Sequence, residues 1–454
     1  MKILVVGCGK VGLAIIEALV REQHEVLAID QRAEVATRVA NTYDVMSVCG
    51  NGSAVEVLSG AGVEQADLVV ATTKSDELNM LTCFVAKKMG AKNTIARIRS
   101  GEYNTSSLDF LKKNLGINMT INPEKLTADA FFNVLSLPSA SKVEKFSDGN
   151  FELFEFLVKD EENLLADATL AQIKAKVDAS FLICAIERDG KVIIPNGNSQ
   201  IKEGDRVSVM ATRKDAQKML KSLGLTSRRL RSAIVVGAGE TALYLTQRLV
   251  ENRVSVKVVE KDRDRCKKAS EILPSAVTVV CGDGTDSDIM LEEGVGKADA
   301  VVALAGKDEE NVLIAYNALL KKTKKVIAKI NRYSIMDMTE DLGIESAICP
   351  LRLVADVVVR HARAIESGNL GAMETLYSIM DGEAEAIEFE VPDDFKYIGQ
   401  QLKSMKLKQS VLISAILRQS DAIIPGGDDT IMAGDRVIVI SKGHRLLELG
   451  DIIR

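Results

Sequence analysis

The sequence has no tryptophan and only seven tyrosines and eleven phenylalanines among its 454 residues. Such a scarcity of aromatic rings leaves little material for a surface on which nucleic-acid bases stack. Acidic residues also outnumber basic ones, and the formal net charge of −6 does not favour binding to a phosphate backbone. We therefore expect no nucleic acid among the partners of this protein.

Long apolar segments are missing as well. No stretch without charged residues extends much beyond about a dozen residues, whereas a membrane-spanning helix needs about 20. The N-terminus runs from Met1 and Lys2 directly into an apolar strand and a glycine loop, which leaves no room for a signal peptide. These absences predict a cytoplasmic protein that associates with a membrane only through a partner.

The seven cysteines are scattered along the chain and never occur in the pattern Cys-x-x-Cys. We expect them to be reduced and buried, because neither their odd number nor their spacing indicates a disulfide framework. No group of histidines, cysteines and carboxylates has the spacing of metal ligands either. We therefore predict no metal site.

The chain contains an internal duplication. When residues 1–31 are placed over residues 231–261, two loop glycines and one acidic residue coincide at a constant separation of 230 positions. The main matched positions are Gly7 with Gly237, Gly9 with Gly239, Asp30 with Glu260, Cys49 to Ser53 with Cys281 to Thr285, Asp76 with Asp308, Asn79 with Asn311, Arg97 with Lys329, and Gly204 to Val207 with Gly434 to Val437. Both halves therefore consist of the same lobes in the same order.

Each half begins with short apolar runs that alternate with amphipathic segments of helical length, a rhythm typical of βαβ units. Shorter alternating runs follow, at 181–186 and 207–210 in the first half, and they indicate a compact β-rich lobe. The predicted strands of the first lobe are 3–6, 26–29, 45–48, 68–71 and 94–98. The predicted fold class is α/β, with two tandem repeats, each a doubly wound, parallel-sheet Rossmann lobe followed by a small β-rich α+β lobe. The four lobes are predicted at residues 1–136, 142–222, 231–365 and 372–454.

The loop from Gly7 to Gly12 has the context that a dinucleotide-binding fingerprint requires, because it follows a predicted strand and opens a helical pattern. Gly7 permits a tight turn, Gly9 lets the backbone approach a pyrophosphate, and Gly12 lets the helix pack against the strand. Free amides at the helix N-terminus then face the anion. Asp30 lies about 20 residues further on, where a carboxylate binds ribose hydroxyls and repels a 2′-phosphate. NAD or ATP is thus favoured over NADP.

Other candidate residues lie where neighbouring strands of the same sheet end. Asn51 and Gly52 form either an ordinary turn or the adenosine side of the crevice. Thr73 and Lys74 follow the fourth predicted strand, at the carboxyl edge where doubly wound folds bind ligands. Arg97, at the end of the fifth strand, either reaches a phosphate or forms a surface ion pair.

The second copy of the loop departs from the first. The segment from Gly237 to Ala242 keeps two of the glycines but places Glu240 where the first copy has Lys10. A carboxylate beside the phosphate position should weaken pyrophosphate binding. Glu260 still offers contacts to a ribose and Lys329 still offers a cation, so the occupancy of this second site stays open.

No catalytic acid or base is evident in the sequence. A nicotinamide oxidoreductase needs a proton donor or acceptor near its substrate, typically a histidine or a tyrosine paired with a lysine. His24, His361 and His444 are far apart in sequence, and no tyrosine is followed by a lysine four residues later. The P-loop pattern is absent too. We predict a ligand sensor without catalytic residues rather than an enzyme.

The motifs GCGKVG with Asp30, CGNGS, TTKSDELN and ARIRS, which recur in the second half, resemble those of the TrkA family of bacterial Trk potassium-uptake systems, built from tandem RCK (KTN) domains. The resemblance spans the whole chain. It implies a peripheral regulatory subunit that gates a membrane potassium channel or transporter when NAD(H), ATP or ADP binds. Family gating rings contain eight Rossmann lobes, so two lobes per chain imply a homotetramer, held at the inner (plasma) membrane by its partner.

The resemblance also implies which residues form the two nucleotide sites. In the first copy these are Gly7, Cys8, Gly9, Lys10, Val11, Asp30, Thr73, Lys74 and Arg97. In the second copy they are Gly237, Ala238, Gly239, Glu240, Thr241, Glu260 and Lys329. Asn51 and Gly52, together with Asp283 in the second copy, complete the predicted set.

Two other functional classes compete with this interpretation. A soluble NAD-dependent oxidoreductase would use the same glycine loop, but the missing acid or base and the duplicated cofactor lobe weigh against it. A redox-sensing transcription repressor would need a DNA-reading helix and a basic surface, and the sequence indicates neither.

Overall fold

A computed structural model describes residues 1–101, 103, 105–158, 168–225, 229–368 and 373–454. The chain divides into two compact units. One unit comprises Met1–Thr127 with Cys349–Ala362, and the other comprises Ala128–Ile348 with Arg363–Arg454. The predicted junctions at 222–231 and 365–372 lie partly outside the described residues.

The first unit contains a six-stranded parallel sheet. Its strands are β1 (Lys2–Val6), β2 (Glu25–Asp30), β3 (Met46–Cys49), β4 (Leu68–Ala71), β5 (Asn93–Arg97) and β6 (Met119–Ile121). The helices of this half are α1 (Lys10–Arg21), α2 (Ala33–Tyr43), α3 (Val55–Gly60), α4 (Asp76–Lys88), α5 (Thr105–Leu115) and α6 (Pro123–Ser136). The strand order is β3-β2-β1-β4-β5-β6, which is the doubly wound order of a Rossmann lobe.

The two central strands of this sheet, β1 and β4, are apolar apart from Lys2, because helices cover both faces of a parallel sheet. Every residue of β4 is buried, and so is β1 apart from its first residue. Helix α1 buries one face, formed by Val11, Gly12, Ile15, Ile16 and Leu19. The strand order reverses between β1 and β4, so the loops that follow these two strands border a crevice at the carboxyl edge of the sheet.

The second unit begins with the small lobe of the first half. Its elements are β7 (Lys142–Phe146), β8 (Phe151–Leu157), α7 (Leu170–Lys176), β9 (Phe181–Arg188), β10 (Lys191–Ile193), β11 (Arg206–Ala211) and α8 (Arg213–Ser222). The five strands form an antiparallel sheet in the order β10-β9-β11-β8-β7. The predicted runs at 181–186 and 207–210 lie in β9 and β11, as expected.

A second Rossmann sheet follows in the same unit. Its strands are β12 (Ser232–Val236), β13 (Ser255–Glu260), β14 (Thr278–Cys281), β15 (Ala300–Ala303), β16 (Lys325–Lys329) and β17 (Ala347–Ile348). The helices of this half are α9 (Glu240–Glu251), α10 (Arg263–Ile272), α11 (Ser287–Glu292), α12 (Asp308–Leu320), α13 (Tyr333–Asp341) and α14 (Pro350–Glu366), of which α14 belongs to the first unit as far as Ala362. The order β14-β13-β12-β15-β16-β17 repeats that of the first sheet. The predicted duplication and α/β fold class are therefore confirmed.

The second small lobe pairs with the first. Its strands are β18 (Met373–Ile379), β19 (Ala384–Glu390), β20 (Val411–Arg418), β21 (Asp421–Ile423) and β22 (Arg436–Ser441), in the same order as in the first small lobe. Apolar side chains of both lobes share one core, and the pairing is reciprocal. Glu388 accepts a hydrogen bond from the backbone N–H of Ser147 at 3.2 Å, and Glu155 accepts one from that of Met380 at 3.2 Å. Buried carboxylates thus stabilise the tight turn of the opposite lobe.

The cysteines differ from the expectation. Cys8, Cys83, Cys184 and Cys349 are buried free thiols, Cys49 is an exposed free thiol, and Cys266 is bonded to Cys281. The prediction that all seven are reduced and buried was wrong for three of them. The spacing of 15 residues between the bonded pair has no signature in sequence, because only the βαβ crossover brings α10 beside the end of β14. No helix of the described part of the chain is long and apolar enough to cross a bilayer.

Candidate functional site

The glycine loop of the first lobe is a tight turn between β1 and α1. Gly7 has a φ of +93°, and a Cβ atom there would lie 2.8 Å from the backbone nitrogen of Thr73. Both the positive φ and the close approach of Thr73 require glycine at position 7. Helix α1 begins at Lys10 after Gly9, and none of the described side chains caps its N-terminus. The first amides of α1 therefore remain available to an anion.

The other two glycines of the loop have different roles. A Cβ atom on Gly12 would lie 2.0 Å from the carbonyl oxygen of Gly7, so Gly12 is required for the packing of α1 on the turn. A Cβ atom on Gly9 would meet no atom within 4 Å, and the backbone of Gly9 is extended. The protein itself therefore does not require glycine at this position, whereas close approach of a ligand would.

The side chains within the loop are not reactive groups. Burial, together with the charge of Asp30, raises the pKa of the Cys8 thiol to about 12. Cys8 therefore stays protonated near neutral pH and fills space beside the loop. Lys10 is exposed at the first position of α1, and Val11 is buried against the sheet.

Asp30 holds the loop and the end of β2 together. Its Oδ2 accepts a hydrogen bond from the backbone N–H of Cys8 at 2.9 Å, and its Oδ1 accepts from the backbone N–H and the Nε of Arg32 at 3.0 and 3.1 Å. Burial alone raises the pKa of Asp30, but the hydrogen bonds from Arg32 and Cys8 outweigh it and the pKa lies below its ordinary value. The carboxylate is thus ionised, with a guanidinium beside it.

A buried asparagine organises the carboxyl edge of the sheet. Asn79 is fully buried; its Oδ1 accepts from the backbone N–H of Thr73 at 2.7 Å, and its Nδ2 donates to the carbonyl oxygen of Arg97 at 2.8 Å. The ends of β4 and β5 are joined in this way. Lys74 is exposed, and its carbonyl oxygen accepts from Arg99 at 2.5 Å. The motif that contains Asn79 was recognised in the sequence, but this positioning role was not.

Arg97 does not project freely into the crevice. Its guanidinium lies 3.3 Å from the carboxylate of Glu124 at the start of α6, and only 16% of its side chain is exposed. Burial lowers the pKa of Arg97, and the neighbouring charge of Glu124 partly compensates. Of the two alternatives left open for Arg97, the ion pair is the one present, and a phosphate would have to compete with Glu124 for it.

Asn51 and Gly52 form a turn after β3. The Oδ1 of Asn51 accepts a hydrogen bond from the backbone N–H of Ser53 at 3.1 Å. A Cβ atom on Gly52 would lie 2.1 Å from a methyl group of Val6, so the turn packs directly on β1. Asp283 makes the same kind of turn in the second lobe, where its carboxylate accepts from the next but one residue at 2.9 Å. These contacts give the turn a structural role in both lobes.

The second lobe has an open cleft of about 280 Å³ at the corresponding place. Six of the predicted residues line it, namely Gly237, Ala238, Gly239, Glu260, Asp283 and Lys329. The loop has the same geometry as in the first lobe: Gly237 has a φ of +108°, and a Cβ atom on Gly239 would meet no atom within 4 Å. The duplication thus preserves the shape of the phosphate-binding turn.

Glu240 and Thr241 do not line the cleft. The carboxylate of Glu240 lies 3.2 Å from the ammonium of Lys268 on α10, and both side chains are at least half exposed. We expected this carboxylate to repel a phosphate. Its pairing with Lys268 and its exposure to solvent weaken that repulsion, because exposed charges are strongly screened.

Glu260 is held like Asp30 but without a guanidinium. It accepts hydrogen bonds from the backbone N–H of Ala238 at 2.8 Å and from that of Asp262 at 3.0 Å. Asp262 occupies the position that Arg32 has in the first lobe, and it caps α10 by accepting from the backbone N–H of Arg265 at 3.0 Å. The two clefts therefore present different charges to the same part of a ligand.

Sequence reasoning missed several cations at these clefts. Arg32 contacts the acid of the first site, and Lys261, Arg265 and Lys307 line the second cleft. Lys261 and Lys307 both lie near Glu310, at 3.1 and 3.6 Å. The position of Arg32, two residues after the acid, was the available signal. The positions of the other three depend on how the loops fold.

The histidines do not form a catalytic group. His24 is buried in the turn before β2, His361 lies on α14, and the Nε2 of His444 lies 2.8 Å from the carbonyl oxygen of Gln409. None of the three lines the second cleft. Within the described ranges, no group of three or more histidines, cysteines and carboxylates could hold a metal ion.

Comparison with known proteins identifies all four lobes. The TrkA-N domain model matches residues 3–123 and 233–350, and the TrkA-C domain model matches residues 153–224 and 386–454. The chain is 32% identical over 459 residues to the Trk system potassium uptake protein TrkA homolog of Archaeoglobus fulgidus, and the match covers 100% of both chains.

Solved structures share the fold over most of the chain. The GsuK channel bound to NAD superposes with a TM-score of 0.64 at 16% identity, over 97% of this chain and 77% of that chain. GsuK bound to ADP superposes with a TM-score of 0.52 at 12% identity, over 81% of this chain and 70% of that chain. At such low identity, these similarities establish the arrangement of the elements and not the ligand.

Proposed function

Because the chain belongs to the TrkA family of Trk potassium-uptake proteins, we propose that it is a nucleotide-sensing subunit that gates a membrane potassium channel or transporter. Family membership places the chain among regulatory subunits of potassium uptake and not among enzymes. The gating activity, its ligands and its membrane partner are the parts that we propose.

The observation that carries the proposal is the open space at Gly9 and Gly239. In both lobes, the residue before an uncapped helix is a glycine whose missing Cβ atom would contact nothing in the protein. A backbone position that the protein leaves open beside free amides suits the pyrophosphate of a nucleotide. The acid of the second strand, Asp30 or Glu260, lies within hydrogen-bond reach of the same turn.

We propose NAD(H) as the principal ligand, with ATP and ADP as alternatives. The GsuK channel bound to NAD and GsuK bound to ADP, named above, share this arrangement of elements. Asp30 is buried and ionised, so it would bind the two hydroxyls of an adenosine ribose and would repel a 2′-phosphate. All the proposed ligands share this adenosine and at least one phosphate.

We further propose that four chains form a gating ring, which associates peripherally with the cytoplasmic side of the plasma membrane through its channel partner. In this proposal, each chain supplies the Rossmann lobes 1–136 and 231–365 and the small lobes 142–222 and 372–454. Nucleotides would bind with different affinity to different conformations of the ring and would shift the population between them. A coupling of about 1–3 kcal/mol at each site would be multiplied over the ring.

The test is calorimetric titration of NAD, NADH, ATP and ADP into the wild type and into Gly9→Val, Gly239→Val and the double variant. A Cβ atom at these positions meets no atom of the protein within 4 Å, so we expect valine to fill the proposed phosphate space while the chain still folds. Gly60→Val is the matched control. A Cβ atom on Gly60 also meets nothing within 4 Å, but Gly60 lies at the end of α3 and not beside the proposed phosphate space. We expect each single variant to lose one site and the control to lose none. Full binding by the folded double variant would refute the assignment.

A further inference from the structure

A disulfide joins helix α10 to the end of strand β14, beside the second cleft. Cys266 is buried on α10, and Cys281 is the exposed last residue of β14. The sulfur of Cys266 lies 3.2 Å from the carbonyl oxygen of Glu260. The other five cysteines are free thiols, so this pair differs from every other cysteine of the chain.

The disulfide connects two segments that both line the cleft. Arg265, directly before Cys266, lines it from α10, and Asp283, two residues after Cys281, lines it from the turn after β14. Both segments lie on the side of the cleft that carries Glu260. A covalent bond between them therefore restricts the movement of residues that would face the adenosine half of a nucleotide.

The first lobe provides an internal comparison. Cys49 pairs with Asp30 in the sheet as Cys281 pairs with Glu260, so the two cysteines occupy equivalent positions. The residue equivalent to Cys266 is Ala36, which follows Asp30 by the same number of residues. Cys49 is consequently a free thiol. Equivalent backbone positions therefore hold a pair of cysteines that can be oxidised in the second lobe and a single cysteine in the first lobe.

We propose that low-molecular-weight disulfides oxidise Cys266 and Cys281 to a disulfide and that low-molecular-weight thiols reduce it again. We further propose that the redox state of this pair sets the nucleotide affinity of the second cleft. The coupling to affinity rests on the proposed function. The thiol–disulfide exchange itself is independent of the proposed function.

The exchange has a defined order because only one of the two cysteines is exposed. In oxidation, the thiolate of Cys281 attacks one sulfur of a small disulfide, which forms a mixed disulfide on Cys281 and expels the other half as a small thiol. The thiolate of Cys266 then attacks the sulfur of Cys281 and releases the second small thiol. The protein pair loses two electrons and two protons, and the small disulfide gains both. Reduction follows the same steps in reverse.

The oxidised form should bind nucleotide more tightly. A cross-link that holds Arg265 and Asp283 in their relative positions lowers the ordering cost of binding, and pre-organisation of this kind increases affinity. We expect reduction to weaken nucleotide binding at the second cleft about fivefold, which is the lower end of typical coupling between sites. The first cleft should not respond, because Cys49 has no second cysteine beside it to form a disulfide.

The first experiment tests the exchange without any nucleotide. The full chain is equilibrated with reduced or oxidised glutathione and alkylated, and the cysteine-containing peptides are then identified by mass spectrometry. We expect Cys266 and Cys281 to resist alkylation after oxidation and to react after reduction. In Cys266→Ala, Cys281 should instead retain one glutathione as a mixed disulfide. Alkylation of both cysteines after oxidation in the wild type would overturn the proposal.

The second experiment tests the coupling. ADP and NAD are titrated into Gly9→Val, in which only the second cleft can bind, in both redox states and with and without Cys266→Ala. We expect the fivefold difference to disappear with Cys266→Ala. Conversely, Ala36→Cys supplies the missing partner of Cys49 and should transfer redox dependence to the first cleft, measured in Gly239→Val. Equal affinity in the two redox states, with the disulfide shown to form, would overturn the coupling alone. Absence of binding in every form would overturn the proposed function and the coupling together.

Discussion

Replacement of Asp30 by asparagine isolates the charge of the first nucleotide site. The substitution keeps the size of the side chain and one oxygen, which can still accept the 2.9 Å hydrogen bond from the backbone N–H of Cys8. It removes the charge that holds Arg32, and one of the two carboxylate oxygens that the ribose hydroxyls would use. The fold of the loop should survive while nucleotide binding at this site weakens.

The size of the effect follows from the type of bond that is lost. Hydrogen bonds to a charged group contribute about 1.5–3 kcal/mol each. At about 1.4 kcal/mol per factor of ten, the loss of one such bond lowers affinity by about ten- to a hundredfold. Because the pKa of Asp30 lies below its ordinary value, the wild-type carboxylate is fully ionised at pH 7, and the whole of this effect should be present there.

The assay is calorimetric titration of NADH, NADPH and ATP at pH 7 into Asp30→Asn in the Gly239→Val background. Glu260→Gln in the Gly9→Val background is the matched control, because Glu260 has no guanidinium beside it. Asp30→Asn also removes the carboxylate that pairs with Arg32. We therefore expect the affinity for NADPH to rise relative to that for NADH, and only at the first site. An affinity for NADH within twofold of wild type, with unchanged thermal stability, would refute the assignment of Asp30 to the ribose.

Three further predictions concern stability. Asn79→Ala leaves the partly buried N–H of Thr73 without its acceptor and should lower the free energy of unfolding by about 1–3 kcal/mol in urea titration, whereas the exposed Asn41→Ala should change it little. Glu388→Gln removes a buried charged acceptor between the small lobes and should lower the free energy of unfolding by about 1–2 kcal/mol. The exposed Glu390→Gln is the control. If Glu388→Gln and the wild type unfolded at the same urea concentration, the stabilising role of Glu388 would be contradicted. Burial, with the charge of the neighbouring arginine, lowers the pKa of His361, so the folded chain takes up the proton at lower pH than the unfolded one. Stability should therefore be complete above about pH 6.5 and fall below it, and His361→Gln should reduce that fall in denaturation between pH 5 and pH 8.

The sequence by itself determined the repeated architecture and the shape of the phosphate-binding turn. Apolar periodicity is a property of the backbone elements, so five strands of the first sheet were predicted to within one residue, whereas the short strand β6 was not predicted. The glycine positions could also be predicted, because Gly7 has a positive φ in a tight turn and Gly12 packs on the carbonyl oxygen of Gly7 within the same loop. Family membership followed from the same local motifs.

Only the tertiary structure decided how the charged and sulfur-containing side chains are used. Arg97 is paired with Glu124, Glu240 is directed to Lys268, and Cys266 meets Cys281. None of these partners could be identified from spacing, because each pair joins separate elements that the crossover connections bring side by side. A local pattern specifies what the backbone does within an element. The partner of a side chain depends on which element packs against it, and that is settled only when the whole sheet assembles.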